Sequence, residues 1–323
     1  MEYVVFDLEW NQSPNGNAGS HPRMPFEIIE IGAVKLNENF EVIDRFRQLI
    51  RPRIYPKLQW AIKEILSYDE KDLKRDGVPF KEACTEFLKW CGEDYRFCTW
   101  GNMDVYYLQN NMDFYNMPRL PYPLRYYDIQ KLYAERCTDN HNICKLEKAI
   151  EHLELEENMP FHTAQNDAEY TGMVMRHASL GNIRDHYSID LYRHPKKKSE
   201  TICDLHGGVC DEIFGEYPSR MAAMSDEDVT SVRCVRCGRK TSKRIKWFQA
   251  NNSVEYAVGR CMLHGNMKAT LKIKSVGDST DNVYVIKKTE PCNRESIESV
   301  KGKHKAAIAR KKRHDKNKAK QGA

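Results

Sequence analysis

Acidic side chains at four positions have the types and spacing that a divalent-metal site needs. Asp7 and Glu9 are two residues apart in an apolar run near the N-terminus. Side chains two apart in a strand leave the same face of the sheet, so one face is expected to carry both carboxylates. Asp104 follows a Trp-Gly-Asn sequence, and Asp167 falls in the first turns of a predicted helix. Carboxylate oxygens are the ligands that Mg²⁺ and Mn²⁺ prefer.

A histidine accompanies the last of these acids. His162 lies five residues before Asp167, in the approach to the same helix. A neutral imidazole accepts a proton from water near pH 7, which makes His162 a candidate general base. Taken singly, each residue also has a structural interpretation. The acids could line the polar side of an edge strand, cap a helix or favour a helix N-terminus, and the histidine could lie at the surface.

A different kind of metal site is predicted in the second half of the chain. Three short arms each carry two soft ligands separated by two residues and followed by glycine: Cys203 with His206, Cys234 with Cys237, and Cys261 with His264. Glycine lets the backbone turn so that both ligands face one Zn²⁺. Cys234, Cys237, Cys261 and His264 therefore predict a structural zinc ribbon.

The first arm leaves several alternatives open. Cys203 and His206 could form a second zinc site with Cys210 or Cys292, or could replace one arm of the first site. Single buried cysteines would behave as small hydrophobes, and a Cys-x-x-Cys pair could be redox-active. Basic residues and aromatics between 233 and 248 are typical of a nucleic-acid-binding surface, with a solvated charged face as the alternative.

Hydrophobic periodicity predicts the elements that must position these residues. Strands are expected over residues 3–10, 26–36, 40–50 and 96–100, and helices over 80–91, from about 104, and over 128–136, 144–153 and 164–178. Three strands followed by alternating helix and strand indicate an α/β three-layer fold with a central mixed β-sheet. Asp128 is expected to cap its helix.

Composition changes along the chain predict four segments. Residues 1–182 form the α/β domain, and a basic, proline-containing stretch suggests a linker over 183–199. Residues 200–292 are expected to form the small zinc-ribbon β domain. Residues 293–323 are predicted to be a disordered basic tail, because residues 301–323 carry ten Lys or Arg against one Asp. Such a tail is drawn to polyanions such as nucleic acid, or merely aids solubility.

Length, hydropathy and cysteine count exclude several protein classes. The 323 residues contain no apolar run of about 18 residues, so no membrane interaction is expected. The N-terminus has neither the basic region nor the apolar core of a signal peptide. Eleven cysteines spread along the chain fit a reducing compartment better than a disulfide framework. The sequence thus predicts a cytoplasmic protein.

The motifs taken together resemble the DEDDh 3′–5′ exonuclease superfamily. The similarity rests on Phe-Asp-Leu-Glu at 6–9, Ile-Glu-Ile-Gly-Ala-Val at 29–34, Trp-Gly-Asn-Met-Asp at 100–104 and the His-x4-Asp of 162–167. The amino-acid sequences of these motifs are similar to those of the branch that contains the histone-mRNA stem-loop exonuclease and its bacterial relatives. The resemblance covers residues 1–182 and implies an RNase H-like fold.

The resemblance also implies a role for each motif residue. Asp7, Glu9 and Asp167 would bind the first of two Mg²⁺ or Mn²⁺ ions, with Asp7 bridging to the second. Asp104 would hold the second ion, and His162 would be the general base. Trp10, Asn11 and Phe26 would contact the terminal nucleotides of the substrate, although core packing is the alternative for Trp10. Glu30 is expected to be structural.

The implied activity is metal-dependent removal of nucleotides from the 3′ end of a single-stranded nucleic acid, with RNA favoured over DNA by the resemblance alone. Several exonucleases of this fold dimerise, so a homodimer is consistent with it. Two other functions are alternatives. One is a regulatory protein of the same fold that inhibits a signalling kinase pathway, and the other is a DNA proofreading subunit. The intact acidic set argues against the first of these.

Overall fold

The computed structural model describes residues 1–138, 142–178, 180, 182–251, 254–277 and 281–321. The chain divides into two compact units, Met1–Tyr192 and Arg193–Ala323. None of the helices in the described residues is both long enough and apolar enough to cross a membrane. Each unit is built on its own six-stranded sheet.

The sheet of the first unit is mixed, as predicted. Its strands are β1 (Glu2–Gln12), β2 (Phe26–Leu36), β3 (Val42–Leu49), β4 (Tyr95–Thr99), β5 (Arg125–Asp128) and β6 (Ser188–Ile189), in the order β3-β2-β1-β4-β5-β6. β1 pairs antiparallel with β2 and parallel with β4. The sheet therefore has β1 near its centre, where both faces can be covered.

Helices cover both faces of this sheet. They are α1 (Trp60–Ile65), α2 (Glu70–Asp76), α3 (Phe80–Cys91), α4 (Met103–Phe114), α5 (Ile129–Cys137), α6 (Leu146–His152) and α7 (Ala164–His177). Tyr3 and Val5 pack in a core with α5, α6 and α7. Val4, Phe6 and Leu8 pack on the opposite face with α3 and α4. The alternating pattern of β1 thus produces the three-layer fold that the sequence predicts.

Glycine at one position lets α7 approach the sheet. Gly32 is paired with Asp7 across β1 and β2. A Cβ at Gly32 would lie 1.9 Å from the backbone nitrogen of Gln165 and 2.1 Å from the carbonyl carbon of Ala164. Because those atoms belong to the first turn of α7, no side chain fits here without displacing the helix. The missing side chain therefore fixes how close α7 lies to β1.

The strands of the second unit lie within the predicted range of 200–292 and all belong to one sheet. Its antiparallel sheet contains β7 (Ile202–His206), β8 (Val209–Tyr217), β9 (Ser242–Gln249), β10 (Val254–Cys261), β11 (Gly265–Ser275) and β12 (Val283–Pro291), in the order β7-β8-β12-β11-β10-β9. Helices α8 (Arg220–Ser225) and α9 (Glu227–Thr230) connect β8 to the segment that precedes β9. Their Ala223 and Val229 pack in a core with Leu271 and Val285 of the sheet.

Residues expected to form a linker are held by both units. β6, at 188–189, pairs with β5 in the first sheet. His194 stacks on Tyr284 with ring centroids 4.2 Å apart, and the backbone nitrogen of Glu216 donates to Lys196. The expected linker over 183–199 is therefore wrong, because contacts that are distant in sequence order a stretch with no hydrophobic period.

The C-terminal segment also differs from the prediction. A helix, α10, spans Arg294–Gln321, where a disordered tail was expected over 293–323. Ile297 and Val300 are buried against Val258 of β10, so the first turns of the helix are docked on the sheet. The last two residues of the predicted tail, 322 and 323, lie outside the described residues. Ile297 and Val300, which precede the basic run that begins at Lys301, thus dock the start of the helix.

The close approach at Gly32 makes a stability prediction. Gly32→Ala should lower the free energy of unfolding of the first unit by about 1–3 kcal/mol, because overpacking forces α7 away from β2. Thermal or urea unfolding measures this change.

Gly172→Ala is the matched control, since Gly172 lies in α7 over the same strand. A Cβ there would meet Val34 and Leu36 side chains at 3.5–3.6 Å, which is ordinary contact. This exchange should leave stability unchanged or raise it, because alanine favours the helix. Equal destabilisation by both exchanges would contradict the special role of Gly32.

Candidate active site and metal centre

The carboxylates of β1 emerge on the face that α7 covers. Asp7 is paired with Gly32, and Glu9 with Glu30, across the antiparallel β1–β2 ladder. The register shifts just beyond Glu9, so that Ile29 is the extra residue of a β-bulge. Bulges bend a strand and redirect the side chains beside them. The predicted placement of Asp7 and Glu9 on one face is therefore found, at the point where the strand changes direction.

Three of the predicted acids form one compact group. Asp7, Glu9 and Asp167 each offer a carboxylate oxygen, and these oxygens all lie within 4.8 Å of one another. All three side chains are partly exposed. Asp7 and Glu9 come from the central strand and Asp167 from the first turn of α7. Strand and helix are thus brought together by the contact at Gly32.

Asp104 lies outside this group of three but close to it. It is in the first turn of α4, only 5% exposed, and its Oδ1 accepts the backbone N–H of Leu8 at 3.2 Å. Its negative charge acts on the pKa of Asp7 more strongly than any other charge does. The hydrogen bond to β1 therefore holds a fourth carboxylate beside the cluster.

His162 is tied to the cluster through its backbone. The N–H of His162 donates to Oδ2 of Asp167 at 3.1 Å, and the residue has a left-handed φ of 66°. The loop that carries it is anchored to α7. The ring of Phe161 stacks on Tyr170 with centroids 4.4 Å apart, and the Tyr170 hydroxyl donates to the Met159 carbonyl at 2.7 Å. These contacts join the loop to α7.

Burial and mutual repulsion raise the carboxyl pKa values across the site. Burial, followed by the charges of Asp167 and Glu30, raises the pKa of Glu9 to about 8. Burial also raises the pKa of Asp104 and that of Asp167 to about 7. The pKa of Asp7 lies well above its ordinary range because it is buried and faces Asp104 and Glu9. Cations would relieve this repulsion.

The donor set fits hard divalent cations. Oδ1 of Asp167 is buried without a hydrogen-bond partner, and the residue belongs to the compact group with Asp7 and Glu9. An unpaired buried acceptor costs free energy unless a ligand or cation satisfies it. Oxygen-only donors select Mg²⁺ or Mn²⁺ over softer metals. Asp7, Glu9 and Asp167 would hold one such ion, with Asp104 beside it.

Two acids outside this set have the structural roles predicted for them. Glu30 is fully buried, and its Oε1 accepts from Nε of Arg47 at 2.7 Å. Asp128 caps α5, accepting the backbone N–H of Lys131 at 2.9 Å. Neither belongs to the compact group that could hold an ion.

The predicted substrate contacts are altered by the structure. Asn11 is fully buried, its Nδ2 donates to the carbonyls of Tyr55 and Lys57, and its Oδ1 accepts from the Gln59 backbone. The expectation that Asn11 contacts substrate is therefore wrong, since its amide group is used to fold the segment after β3.

The two predicted aromatic contacts lie in one cluster. Trp10 leaves the opposite face of β1 from Glu9, and its ring centroid lies 6.0 Å from Phe26 and 5.2 Å from Tyr107. Both Trp10 and Phe26 are partly exposed. Contact of Trp10 and Phe26 with substrate stays a prediction.

Sequence reasoning missed the residue that brings the cluster together. Gly32 was noted only as part of a strand motif, yet it sets the distance between α7 and β1. A glycine inside a run of β-branched residues is a signal for close backbone approach. That signal was present in Ile-Glu-Ile-Gly-Ala-Val at 29–34.

The second metal site is assembled as the ligand spacing predicts. Cys234, Cys237, Cys261 and His264 each place one ligand atom within 4.8 Å of the others. Cys234 and Cys237 precede β9, and Cys261 and His264 close the hairpin between β10 and β11. Gly238 and Gly265 follow the two arms at left-handed φ values of 68° and 80°, as the turns require.

Distances between the ligand atoms fit tetrahedral zinc. Sγ of Cys237 and Sγ of Cys261 are 3.8 Å apart. Nδ1 of His264 lies 3.5 Å from Sγ of Cys234 and 3.7 Å from Sγ of Cys261. Zn–S bonds of about 2.3 Å and Zn–N bonds of about 2.0 Å at tetrahedral angles separate ligands by about 3.5–3.8 Å. The backbone N–H groups of Leu263 and His264 lower the pKa of the Cys261 thiol to about 6, which favours the thiolate that zinc needs.

The remaining arm does not form a zinc site. Sγ of Cys203 lies 3.7 Å from Sγ of Cys210, whereas His206 pairs with Asp211 at 2.9 Å. Among the described residues, the metal-compatible groups are only the carboxylate and Cys3His groups given above. The expected second site or replacement arm is therefore wrong, because Cys203 and His206 are three residues apart in an extended strand and face opposite sides.

Comparison with known proteins places the first unit among exonucleases. Residues 4–175 match the family RNase_T, described as Exonuclease. The chain is 31% identical over 116 residues to the probable 3′–5′ exonuclease KapD of Bacillus subtilis (strain 168). That match covers 36% of this chain and 55% of KapD, so the chain spans about half the length of this relative.

Solved structures with similar coordinates are also exonucleases. The nuclease domain of 3′hExo, a DEDDh family member bound to rAMP, is 20% identical with a TM-score of 0.47, covering 54% of this chain and 90% of that domain. Exonuclease I of E. coli with single-stranded DNA is 11% identical with a TM-score of 0.46, covering 57% of this chain and 41% of that chain.

The raised carboxyl pKa values predict a pH- and cation-dependent stability. These carboxyls ionise at about pH 4 in the unfolded chain and near pH 7 to 8 in the folded protein. Cation-free protein therefore loses stability as the pH rises from about 4 to about 8. At pH 8, Asp167→Asn should raise the melting temperature of cation-free protein by at least about 2 °C, because one repelling charge is gone. The exchange should also abolish the further rise that Mg²⁺ gives the wild type. Calorimetry measures both.

Asp94→Asn is the control for this measurement, since the Asp94 side chain is exposed and pairs with the N-terminal amine. It should change neither value. An equal Mg²⁺ response in Asp167→Asn and in the wild type would mean that the cation binds elsewhere.

The Cys3His geometry predicts about one zinc per chain in purified protein. Cys261→Ser should lose the metal and lower the melting temperature of the second unit, since zinc binding contributes to its folding. Elemental analysis gives the stoichiometry. Cys203→Ser is the matched control and should keep the full zinc content. Two ions per chain, or zinc loss on changing Cys203, would contradict the single-site assignment.

Proposed function

The chain belongs to the exonuclease family RNase_T, and on that premise we propose that it removes nucleotides from the 3′ end of single-stranded nucleic acid, RNA in preference to DNA. The observation that carries this proposal is the intact acidic set. Asp7, Glu9 and Asp167 meet within 4.8 Å, and Asp104 lies beside them. A fold retained only for binding would have no need to keep four repelling carboxylates together.

Each residue has a defined part in the proposed hydrolysis. When bound, Mg²⁺ or Mn²⁺ ions supply stabilisation of the negative charge that develops on the phosphate. Asp7, Glu9 and Asp167 would hold the first ion, and Asp104 with Asp7 the second. This two-ion arrangement is part of the proposal and follows from the resemblance of the motifs.

His162 would act as the general base. It takes a proton from the water that attacks phosphorus, while the bond from phosphorus to the 3′ oxygen breaks. That oxygen takes up a proton from solvent, so a nucleoside 5′-monophosphate is released and the shortened strand ends in a hydroxyl. Because the backbone N–H of His162 donates to Oδ2 of Asp167, the backbone that carries the imidazole is held beside a residue that would bind the ion.

The preference for RNA is supported by the amino-acid sequences of two motifs. The sequences at 6–9 and 29–34 resemble the branch of histone-mRNA exonucleases, and the curated relative is named a probable 3′–5′ exonuclease without a stated substrate. A reducing, cytoplasmic setting is part of the same proposal, since none of the eleven cysteines is in a disulfide.

The experiment that tests this function uses 5′-labelled single-stranded RNA and DNA of the same sequence with Mg²⁺, with Mn²⁺ and without added metal. We expect a metal-dependent ladder that shortens from the 3′ end, faster on RNA. Asp7→Asn should slow turnover by at least about 10²-fold, because several kcal/mol of charge stabilisation is lost.

Asp128→Asn is the matched control, because asparagine caps a helix as well as aspartate does. It should retain turnover. Intact oligonucleotides in every lane would favour the regulatory interpretation, and a ladder only on DNA would favour proofreading.

A further inference from the structure

The second unit contains a cavity that the zinc site and the nuclease mechanism leave unexplained. It has a volume of about 420 Å³ and lies between the end of α9, the loop before β9, and strands β9 and β10. Small-molecule sites occupy roughly 300–1,000 Å³, so the cavity is large enough for one nucleotide.

The walls and the rim of this cavity differ in chemistry. Met224, Trp247 and Ala257 supply apolar wall, with Trp247 fixed by donating its Nε1–H to the Thr230 carbonyl at 2.7 Å. Ser231 adds a hydroxyl. An aromatic and apolar wall suits the face of a base, and the hydroxyl suits its edge.

Three lysines line the rim, namely Lys240, Lys243 and Lys246. Lys240 is paired with Glu227, the one acid of the lining. Lys243 and Lys246 are exposed, and within the described part of the chain neither takes part in an ion pair. Two uncompensated cations therefore border an apolar cavity, which matches the phosphate and base of one nucleotide.

An irregular strand brings these side chains to one cavity. Residues of a regular strand alternate between faces, so Lys243 and Lys246 would point to opposite sides. The β9–β10 ladder shifts register between Tyr256 and Val258 and again before Gly259. Such irregularities redirect side chains next to functional sites. Both lysines consequently line the same cavity as Trp247.

The zinc site supports one wall of this cavity. Val232, Lys240 and Thr241 line it, and the chain between them contains Cys234 and Cys237. Thr241 closes the base of this loop, since its backbone nitrogen and its Oγ1 both donate to the Val232 carbonyl, at 3.0 and 2.8 Å.

A glycine on the neighbouring strand makes room for the loop. A Cβ at Gly259 would lie 1.8 Å from Oγ1 of Thr241, so only glycine lets the loop lie against β10. This wall of the cavity is thus positioned by Cys234 and Cys237, two predicted zinc ligands, and by the space that Gly259 leaves for the loop.

We propose that this cavity binds one nucleotide of the single strand on which the nuclease unit acts, with the phosphate at Lys243 and Lys246 and the base against Trp247. The inference rests on the proposed function for the identity of the ligand. It adds a site remote from the carboxylates in sequence, in the other unit, at which the strand is held independently of hydrolysis.

Equilibrium binding to the full chain tests the proposal. Labelled U20 and T20 oligonucleotides are titrated by fluorescence anisotropy at several KCl concentrations, without added Mg²⁺ or Mn²⁺. Lys243→Ala with Lys246→Ala should weaken binding about tenfold at 100 mM KCl. The double exchange should reduce the slope of log affinity against log salt by about 1.4, at about 0.7 for each lost phosphate contact.

The matched control is Lys272→Ala with Lys274→Ala, which removes the same charge from exposed positions of β11. It should leave affinity within twofold. Ser231→Trp keeps the charge and fills the cavity, and it should weaken binding at least fivefold with zinc content and melting temperature unchanged. Equal losses in both lysine pairs, or full binding by a folded Ser231→Trp protein, would overturn the proposal.

Three further outcomes are distinguished when the titrations are compared with the turnover assay. Binding of UMP that depends on Ser231 while oligonucleotide binding does not would make the cavity a free-nucleotide site and overturn the strand assignment. Because no step of the assay requires hydrolysis, a protein that binds through the cavity but never shortens the strand would contradict the proposed function alone. Turnover with equal binding by all variants would contradict the cavity alone.

Discussion

Repulsion between carboxylates at the end of β1 is the constraint on which the first unit depends. Asp7, Glu9 and Asp167 are held within 4.8 Å, with Asp104 and Glu30 close by, and their raised pKa values show the free-energy cost. Unpaired charges so close together persist only where the surrounding packing fixes them or cations neutralise them. The tight helix–sheet contact at Gly32, the hydrogen bond from β1 to Asp104 and the pairing of buried Glu30 with Arg47 all serve to fix them.

Local patterns predicted much of this arrangement. The two-residue spacing of Asp7 and Glu9 determined their common face, and Asp128 was assigned as a cap from its position before a helix. What could not be predicted depends on contacts distant in sequence. Asn11 is a residue type that often contacts substrate. Here three backbone groups from the segment after β3 form hydrogen bonds with its side-chain amide. The basic stretch near 196 has no hydrophobic period, yet Gly215 leaves room for Lys197 beside β8.

The same distinction explains the outcome for the cysteines. The spacing Cys-x-x-Cys or Cys-x-x-His defines a zinc arm only when the backbone turns between the ligands. Gly238 and Gly265 mark such turns, whereas Cys203 and His206 both belong to the extended strand β7. The expected range of 200–292 contains all six strands of the second unit, but short strand-like runs do not show from sequence alone that they share one sheet. The Cys3His group lies at one end of two strands of that sheet, adjoining the nucleotide-sized cavity.

At His162 the imidazole is the proposed general base, whereas the structure of the loop depends on the backbone. Its φ of 66° is a conformation that asparagine adopts more readily than most residues do. The bond to Asp167 uses the backbone N–H, which every residue except proline possesses. Histidine and asparagine codons differ by a single base. One nucleotide change could therefore remove the imidazole while preserving the loop, the acidic cluster and any strand held there. A lineage could in this way convert a degrading protein into one that only retains its ligand, without passing through an unfolded intermediate.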